Sequence, residues 1–217
     1  MRLYHYMDSP AYSALMSTGS LVGSPSHSPF PEFAAAYGWL AGEMRNRIGD
    51  APGHANGAWP VFAWAMHEGM NPVSYDHDHP EHGGDLLVGF EVPEGSYVLS
   101  DFDDWHYILN NWYLPSTGSS DDETASAESA EFDRRCEEAG YDIWMPGERG
   151  TCPDIETMRR RHWNRVVELP HLSGSVQATL WELKAEWVFF VRARTWKAIP
   201  GLEKPTRAIK RRRRTGR

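Results

Sequence analysis

The sequence predicts an α+β fold in which helices pack on the faces of a mixed, mainly antiparallel sheet. Apolar residues alternate at period two in some segments and recur at steps of three and four in others. These segments are interspersed without a regular β-α-β alternation, and no glycine fingerprint is present, which argues against a doubly wound nucleotide-binding fold. Apolar residues make up 41% of the 217 positions and include 10 Trp, enough for the core of one domain.

The N-terminal segment predicts a strand over residues 2–6 and then a short helix. Asp8-Ser9-Pro10 is expected to open it, with a capping side chain followed by Pro in the first turn, and Gly19 closes it with a left-handed cap. A second helix is expected from residue 33 to Gly49. Its apolar face is formed by Phe33, Tyr37, Leu40, Ala41, Met44 and Ile48.

The middle of the chain predicts strands at 59–66, 85–93 and 97–99. Either Asp101 or Asp103 should cap the helix that follows. The buried face of this helix is expected to contain Trp105, Ile108, Leu109 and Trp112.

The C-terminal half begins with a polar stretch at about 116–130, which lacks large apolar residues and predicts a mobile surface insertion. Helices are expected near 131–139 and 154–169, and strands at 176–183 and 187–194. Residues 1–198 should therefore form a single α+β domain, followed by a disordered basic tail at 199–217.

Charge separates the tail from the rest of the chain. Lys204 to Arg217 contains eight basic residues and no acid, which leaves 14 basic against 30 acidic residues in 1–203. The acidic body should repel nucleic acid, so any contact with it is expected to be weak and to involve the tail.

The expected compartment is the cytoplasm. No apolar run approaches the roughly 18 residues that cross a membrane, so no membrane contact is expected. No signal peptide follows Arg2. Cys136 and Cys152 are expected to be free thiols in a reducing compartment.

One loop is rich in potential metal ligands, because three imidazoles and three carboxylates fall within 76–82. The spacing of His77, His79 and His82 does not match a known ligand pattern, so no metal is expected. A solvated loop, a divalent-ion site and a ligand-contact loop remain as alternatives.

Two further segments carry candidate site residues. His106, Asn110 and Asn111 either satisfy backbone groups of a neighbouring strand or line a cleft. On the strand 176–183, Glu182 would share a face with Val176, Ala178 and Leu180 and lie at the rim of the apolar side. Either a cleft opens at this rim beside Glu182, or Glu182 is a strand-end residue that faces water or pairs with an Arg.

Four segments resemble an uncharacterised bacterial family, domain of unknown function 3841. They lie at 36–40, 59–64, 99–114 and 176–183, and the long Asp-Phe-Asp to Asn-Asn-Trp-Tyr-Leu stretch is the most specific of them. The resemblance spans most of residues 1–195, implies one fold for these segments and brings no established activity.

A more distant resemblance is to NAD-using ADP-ribosyltransferases and the related RNA 2′-phosphotransferases. Leu3-Tyr4-His5 followed by Gly19 is similar to the start of those enzymes. The resemblance implies that His5 binds the ribose next to nicotinamide and that Glu182 stabilises the oxocarbenium-like transition state. Tyr37 or Trp64 would pack on nicotinamide, and Asn110 and Asn111 complete the candidate cofactor-binding set.

The leading hypothesis is an ADP-ribosyltransferase-like enzyme that uses NAD as co-substrate and has an unknown acceptor. His5 and Glu182 would be its catalytic residues. One alternative is a non-catalytic binding or regulatory module, and another is a metal-dependent hydrolase built on the His77–His82 loop. Convergence of His5 and Glu182 in one pocket would favour the enzyme.

Overall fold

A six-stranded antiparallel sheet forms the centre of the protein in this computed structural model. The structure describes residues 1–24, 33–55, 57–73, 85–120, 122–142, 152–168 and 174–193. Within these residues the strands are β1 (Arg2–Met7), β2 (Ser20–Val22), β3 (Val61–Met66), β4 (Leu86–Glu91), β5 (Val98–Asp101), β6 (Val176–Leu180), β7 (Glu182–Lys184) and β8 (Val188–Ala193). Along the large sheet the strand order is β5-β6-β3-β1-β4-β8, and a second, two-stranded antiparallel sheet pairs β2 with β7.

Helices cover parts of both faces of the large sheet, so the predicted α+β class is confirmed. The helices are α1 (Ser9–Thr18), α2 (Ala34–Ile48), α3 (Phe102–Leu109), α4 (Glu123–Ala139), α5 (Pro153–Arg160) and α6 (Arg165–Glu168). Short 3₁₀ turns occur at Gly53–Ala55 and Ala185–Trp187.

The sheet separates two apolar cores. On one side, Leu3 and Val88 of the sheet pack with Leu15 of α1 and Leu183 of β7. On the other side, Phe62 and Val98 contribute to a core built mainly from α2, α3 and α6. A third cluster around Phe132 joins α4 to α5. These clusters remove most of the large apolar side chains of the described residues from water.

Helix caps follow the sequence signals closely. Asp8 accepts a hydrogen bond from the Ala11 N–H at 2.7 Å, and Gly19 ends α1 with a left-handed φ of 87°. The cap of α3 is Asp101 and not Asp103, because the Asp101 carboxylate accepts from both the Asp103 and the Asp104 N–H groups. Local hydrogen bonding therefore decides these boundaries, as the sequence predicted.

Three predicted boundaries are corrected. Helix α4 begins at Glu123 and not near 131, because Asp122 caps it and Ala125 and Phe132 are buried; half of the predicted insertion at 116–130 is thus helical. The expected helix 154–169 is two helices, α5 and α6, separated by a turn. Mobility of the insertion remains a prediction.

The third correction concerns the predicted strand 176–183, which divides between the two sheets. It leaves the large sheet after Leu180 and joins β2 as β7. Trp181 marks the division, since its indole is buried in the helical core and its Nε1–H donates to the Gly49 carbonyl at 2.9 Å. Glu182 therefore does not continue the apolar face of Val176, Ala178 and Leu180.

Within the described ranges, no helix combines the length and apolar character needed to cross a membrane. Cys136 and Cys152 are free thiols, as expected. The tail at 199–217 lies outside the residues that the structure describes, and so does the loop at 76–82.

Candidate ligand-binding cleft

Strands β1 and β3 lie at the centre of the sheet but do not pair along their whole length. Each has six residues, and their register contains Tyr4 opposite Trp64. Continuing that antiparallel register would place Tyr6 opposite Phe62. The Phe62 carbonyl is instead bonded by a side chain, the Nδ1 of His5, at 2.6 Å. A side chain thus takes the place of a ladder hydrogen bond where the strands separate.

This hydrogen bond determines the tautomer of His5. A carbonyl oxygen only accepts, so Nδ1 carries the proton and donates it to Phe62. Burial lowers the pKa of His5, and this outweighs the opposite effect of the bond to Phe62. The ring is consequently neutral at pH 7. Its Nε2 is an acceptor that no described residue uses.

A cleft of about 340 Å³ opens where the two strands separate. This volume is at the small end of the range typical of ligand sites, roughly 300–1,000 Å³. Its lining combines polar and aromatic side chains from three neighbouring strands and the start of α1. The lining residues are His5, Tyr6, Met7, Asp8, Phe62, Trp64 and Gln177.

Gln177 supplies the most informative polar group of the cleft. It lies on β6 opposite Trp64, and only 8% of the residue is exposed. Its backbone carbonyl is contacted by the Ser100 hydroxyl at 3.4 Å, but its side-chain amide has no hydrogen-bond partner among the described residues. The amide atoms are not enclosed by protein and reach the open cleft, so their donors and acceptor are available to a ligand or water there.

Aromatic packing holds one wall of the cleft. The Trp64 ring lies 4.8 Å from the Phe102 ring and 4.5 Å from the His67 ring. Phe62 is supported from behind by Tyr37, at 5.7 Å, and by Trp105. Such contacts restrict the rings, so this wall is preorganised for a flat ligand.

The carboxylate that lines the cleft belongs to Asp8, and not to Glu182. Glu182 lies on β7 and is only 6% exposed. Its carboxylate contacts His54 Nε2 at 2.7 Å and Lys184 Nζ at 3.4 Å. The structure thus gives Glu182 two cationic or polar partners outside the cleft and does not bring it together with His5.

Of the other candidate residues, one lines the cleft and the rest lie outside it. Trp64 shares the cleft with His5. Tyr37 stacks on Trp59, with ring centroids 4.7 Å apart, and reaches the cleft only through Phe62. Asn110 donates its side-chain amide to the His106 carbonyl within its own helix, and Asn111 has a left-handed φ of 63° just beyond it. Neither Asn lines the cleft.

A second groove, of about 310 Å³, lies between α4 and α5. Glu128 on its wall accepts hydrogen bonds from the Ser116 N–H, the Ser116 hydroxyl and the Tyr113 hydroxyl. Burial opposes ionisation of Glu128, but these bonds prevail and lower its pKa. The pKa of Tyr113 is raised to about 12 by burial and by the nearby Glu128. This groove satisfies its own carboxylate, unlike the cleft, which leaves Gln177 unpaired.

Metal coordination finds no support in the part of the chain that the structure describes, where no group of three or more His, Cys, Asp or Glu could hold an ion. The predicted alternative at His77, His79 and His82 lies outside those residues and stays untested.

Sequence reasoning missed the roles of Gln177, Phe62 and Asp8 in this cleft. A glutamine within an otherwise apolar strand was a usable signal for Gln177, since a polar residue on a central strand needs a partner. A capping side chain was expected within Asp8-Ser9-Pro10, and the structure assigns the cap to Asp8. The place of Asp8 in the cleft depends on the separation of two strands that are distant in the sequence.

The fold and the cleft define an α+β protein with a candidate small-ligand site between two central strands. The chain belongs to the family described as domain of unknown function (DUF3841), whose model matches residues 12–189. Phe62, Trp64 and Gln177 lie within the match, and His5 and Asp8 precede it. No curated protein matches significantly, and no solved structure does either.

Proposed function

We propose that the protein is ADP-ribosyltransferase-like and binds NAD through the cleft between β1 and β3. The observation that carries the proposal is the side-chain amide of Gln177, which is accessible in the cleft and has no partner among the described residues. His5 lines the same cleft, and its neutral ring offers the unshared electron pair of Nε2. A donor and an acceptor in one cleft suit the hydroxyl groups of a ribose.

The aromatic wall complements these polar groups. A nicotinamide ring is flat, and stacking against Trp64 would bury its face while the ribose bonds to His5 and Gln177. No Lys or Arg is among the described residues of the lining, so the cleft suits the nicotinamide ribose end of NAD, and the pyrophosphate would extend outwards. His5 and Trp64 are common to this arrangement and to the resemblance described above.

In the proposed reaction, the bond between ribose C1′ and the nicotinamide nitrogen breaks. Its electron pair passes to the ring nitrogen, and nicotinamide leaves as a neutral molecule. An acceptor nucleophile then bonds to C1′ and loses its proton. Negative charge near C1′ would stabilise the cationic transition state. Glu182 is not placed to supply that charge, because its carboxylate contacts His54 and Lys184 outside the cleft.

A second candidate function follows from the position of Glu182 outside the cleft. Gln177 is neutral and cannot oppose a developing positive charge as a carboxylate does. The protein would then be a non-catalytic module that holds NAD and leaves its glycosidic bond intact. Both candidates use the same cleft, and they differ only in whether nicotinamide is released.

The decisive experiment measures binding and turnover on the same purified protein. Calorimetric titration with NAD should give a saturable one-to-one isotherm, and Gln177→Leu should weaken it about tenfold, the loss expected for one or two hydrogen bonds. Chromatography of the same samples after prolonged incubation separates the two candidates, because only the enzyme releases nicotinamide.

A matched control replaces Asn110 with Ala, because Asn110 is an amide outside the cleft. This variant should bind NAD as tightly as the wild type. Absence of saturable binding by the wild type would overturn the proposal for both candidates. Equal NAD affinity of the Gln177→Leu variant and the wild type would show that the cleft is not the NAD-binding site.

Weak nucleic-acid contact is a separate proposal for the tail, which carries eight basic residues from Lys204 to Arg217. Lys and Arg side chains bind phosphates without discriminating between bases. If about five phosphates are neutralised, log K should fall against log salt with a slope of roughly −4 to −5 on duplex DNA. Truncation after Leu202 should abolish this binding, and equal affinity of the truncated protein would refute it.

A further inference from the structure

The carboxylate of Asp8 is placed to interact with a positively charged ligand. It lines the cleft together with Tyr6, Phe62 and Trp64, and it is the sole acidic side chain in the described lining. Its Oδ1 accepts from the Ala11 N–H at 2.7 Å, which fixes the carboxyl group at the start of α1. Its Oδ2 has no hydrogen-bond partner among the described residues.

The start of α1 does not provide an anion site in competition with this carboxylate. Anions commonly bind the free N–H groups of a helix N-terminus. Here Asp8 already accepts from the Ala11 N–H through its side chain and from the Tyr12 N–H through its carbonyl. Pro10 has no N–H to offer. The end of the helix that adjoins the cleft therefore presents a negative charge.

Aromatic rings and a carboxylate together favour an aromatic cation. The faces of Trp and Tyr rings attract cations through the ring quadrupole, and a carboxylate adds a direct charge interaction. Since no Lys or Arg lies among the described lining residues, nothing there offsets the attraction. This combination distinguishes two ligands of nearly equal shape when only one of them is charged.

We infer that Asp8 is a specificity-determining residue, through which the cleft selects the oxidised, positively charged nicotinamide ring over the neutral reduced ring. The inference rests on the proposed function, because it assumes that a nicotinamide nucleotide occupies the cleft. Its basis is the juxtaposition of the Asp8 carboxylate with Tyr6, Phe62 and Trp64 in one lining. Asp8 discriminates between ligands and is assigned no part in bond breaking.

The test compares the affinities of NAD+ and NADH by calorimetry at about 0.05 M and about 0.5 M salt. The wild type should prefer NAD+, and the preference should shrink at high salt because an exposed carboxylate is screened. Asp8→Asn should reduce the ratio of the two affinities by about two- to fivefold, the range measured for exposed charge pairs. Affinity for NADH should stay unchanged.

Two features of the design isolate charge from structure. Asn is as good an N-cap as Asp, so Asp8→Asn should retain α1 and the melting temperature. Asp85→Asn is the matched control, because Asp85 is an exposed carboxylate near the same helix, 3.4 Å from the Ser9 hydroxyl, and does not line the cleft. It should leave the affinity ratio unchanged.

The possible failures are distinguishable. If neither NAD+ nor NADH binds, the proposed function fails and the inference fails with it. If both bind with equal affinity, or if Asp8→Asn leaves the ratio unaltered, NAD binding survives and the role of Asp8 is overturned. A ratio that falls equally in Asp8→Asn and Asp85→Asn would show general surface charge, and a parallel loss of affinity for both ligands would show structural damage.

Discussion

Polar side chains occur both in the cleft between β1 and β3 and in the cluster around Glu182. The two regions differ in whether these side chains have partners within the protein. At Glu182, a carboxylate that is 6% exposed has His54 and Lys184 as partners. In the cleft, Gln177 and the Nε2 of His5 have no partner in the described parts of the chain. A group that is satisfied within the protein stabilises the fold, whereas an unsatisfied one is available to a ligand.

The largest expected effect is on stability, at Glu182. Glu182→Ala should lower the free energy of unfolding by about 1–3 kcal/mol, because it leaves polar partners unpaired and opens space beside β2. NAD affinity should not change. Denaturant unfolding measures the first quantity and calorimetry the second.

The control for that variant is Glu186→Ala, at an exposed acidic residue in the following 3₁₀ turn, which should alter neither quantity. A stable Glu182→Ala protein that fails to bind NAD would contradict the comparison, because it would place Glu182 in the site.

The opposite pattern is expected at Gln177. Gln177→Leu should weaken NAD binding about tenfold and leave the free energy of unfolding nearly unchanged, since the amide that it removes makes no hydrogen bond to another described residue. Thermal unfolding without ligand tests the stability half of this prediction. A large loss of stability would show that the Gln177 amide is satisfied in the folded protein.

A smaller effect should appear as a pH dependence from His5. Its pKa is lowered in the folded state by burial, whereas in the unfolded chain it ionises near 6.5. Just below that pH the unfolded state binds more protons, so stability falls as the pH falls from about 6.5. NAD affinity should fall with it, because a protonated Nε2 no longer accepts a hydrogen bond.

Burial also lowers the pKa of His67 and His162, so they contribute a pH dependence of the same sign. The contribution of His5 is therefore the difference between the wild type and His5→Leu in unfolding experiments from pH 7.5 to 5. Identical slopes for the two proteins would show that His5 titrates alike in both states.

The smallest effect is expected at Asn110, which the sequence placed among the cofactor-binding candidates. Its amide bonds to the His106 carbonyl at 2.8 Å at the end of α3. Asn110→Ala should cost about 0.5–1 kcal/mol of stability through that bond and leave NAD affinity unaltered. A tenfold loss of NAD affinity would show that the end of α3 contributes to the binding site.

Predictions that depend on near neighbours in the sequence agreed best with the structure. Asp8 and Gly19 cap the two ends of α1, and Gly49 follows α2, because capping is decided within a single turn of the chain. The start of α4 was misplaced because its sparse apolar residues, Ala125 and Phe132, become informative only when a partner surface buries them.

The site was predicted in part for the same reason. His5 and Trp64 were identified and share the cleft, and Gln177 was overlooked although its strand was found. Glu182 was expected at the rim of a continuous strand, but Trp181 packs into the helical core and the chain changes sheets there. No local pattern encodes that change, because it depends on where Gly49 lies in the folded chain.

The α+β class, the helix caps, the periodicity of the strands and the family could all be predicted from the amino-acid sequence, since each depends on local spacing and composition. The tertiary structure alone decided that β1 and β3 separate, that the His5 ring bonds to Phe62 across the gap, and that Glu182 pairs with His54. These contacts join residues 57 and 128 positions apart in the chain. Their geometry follows from the packing of the whole sheet and its helices, a property that local propensity does not contain.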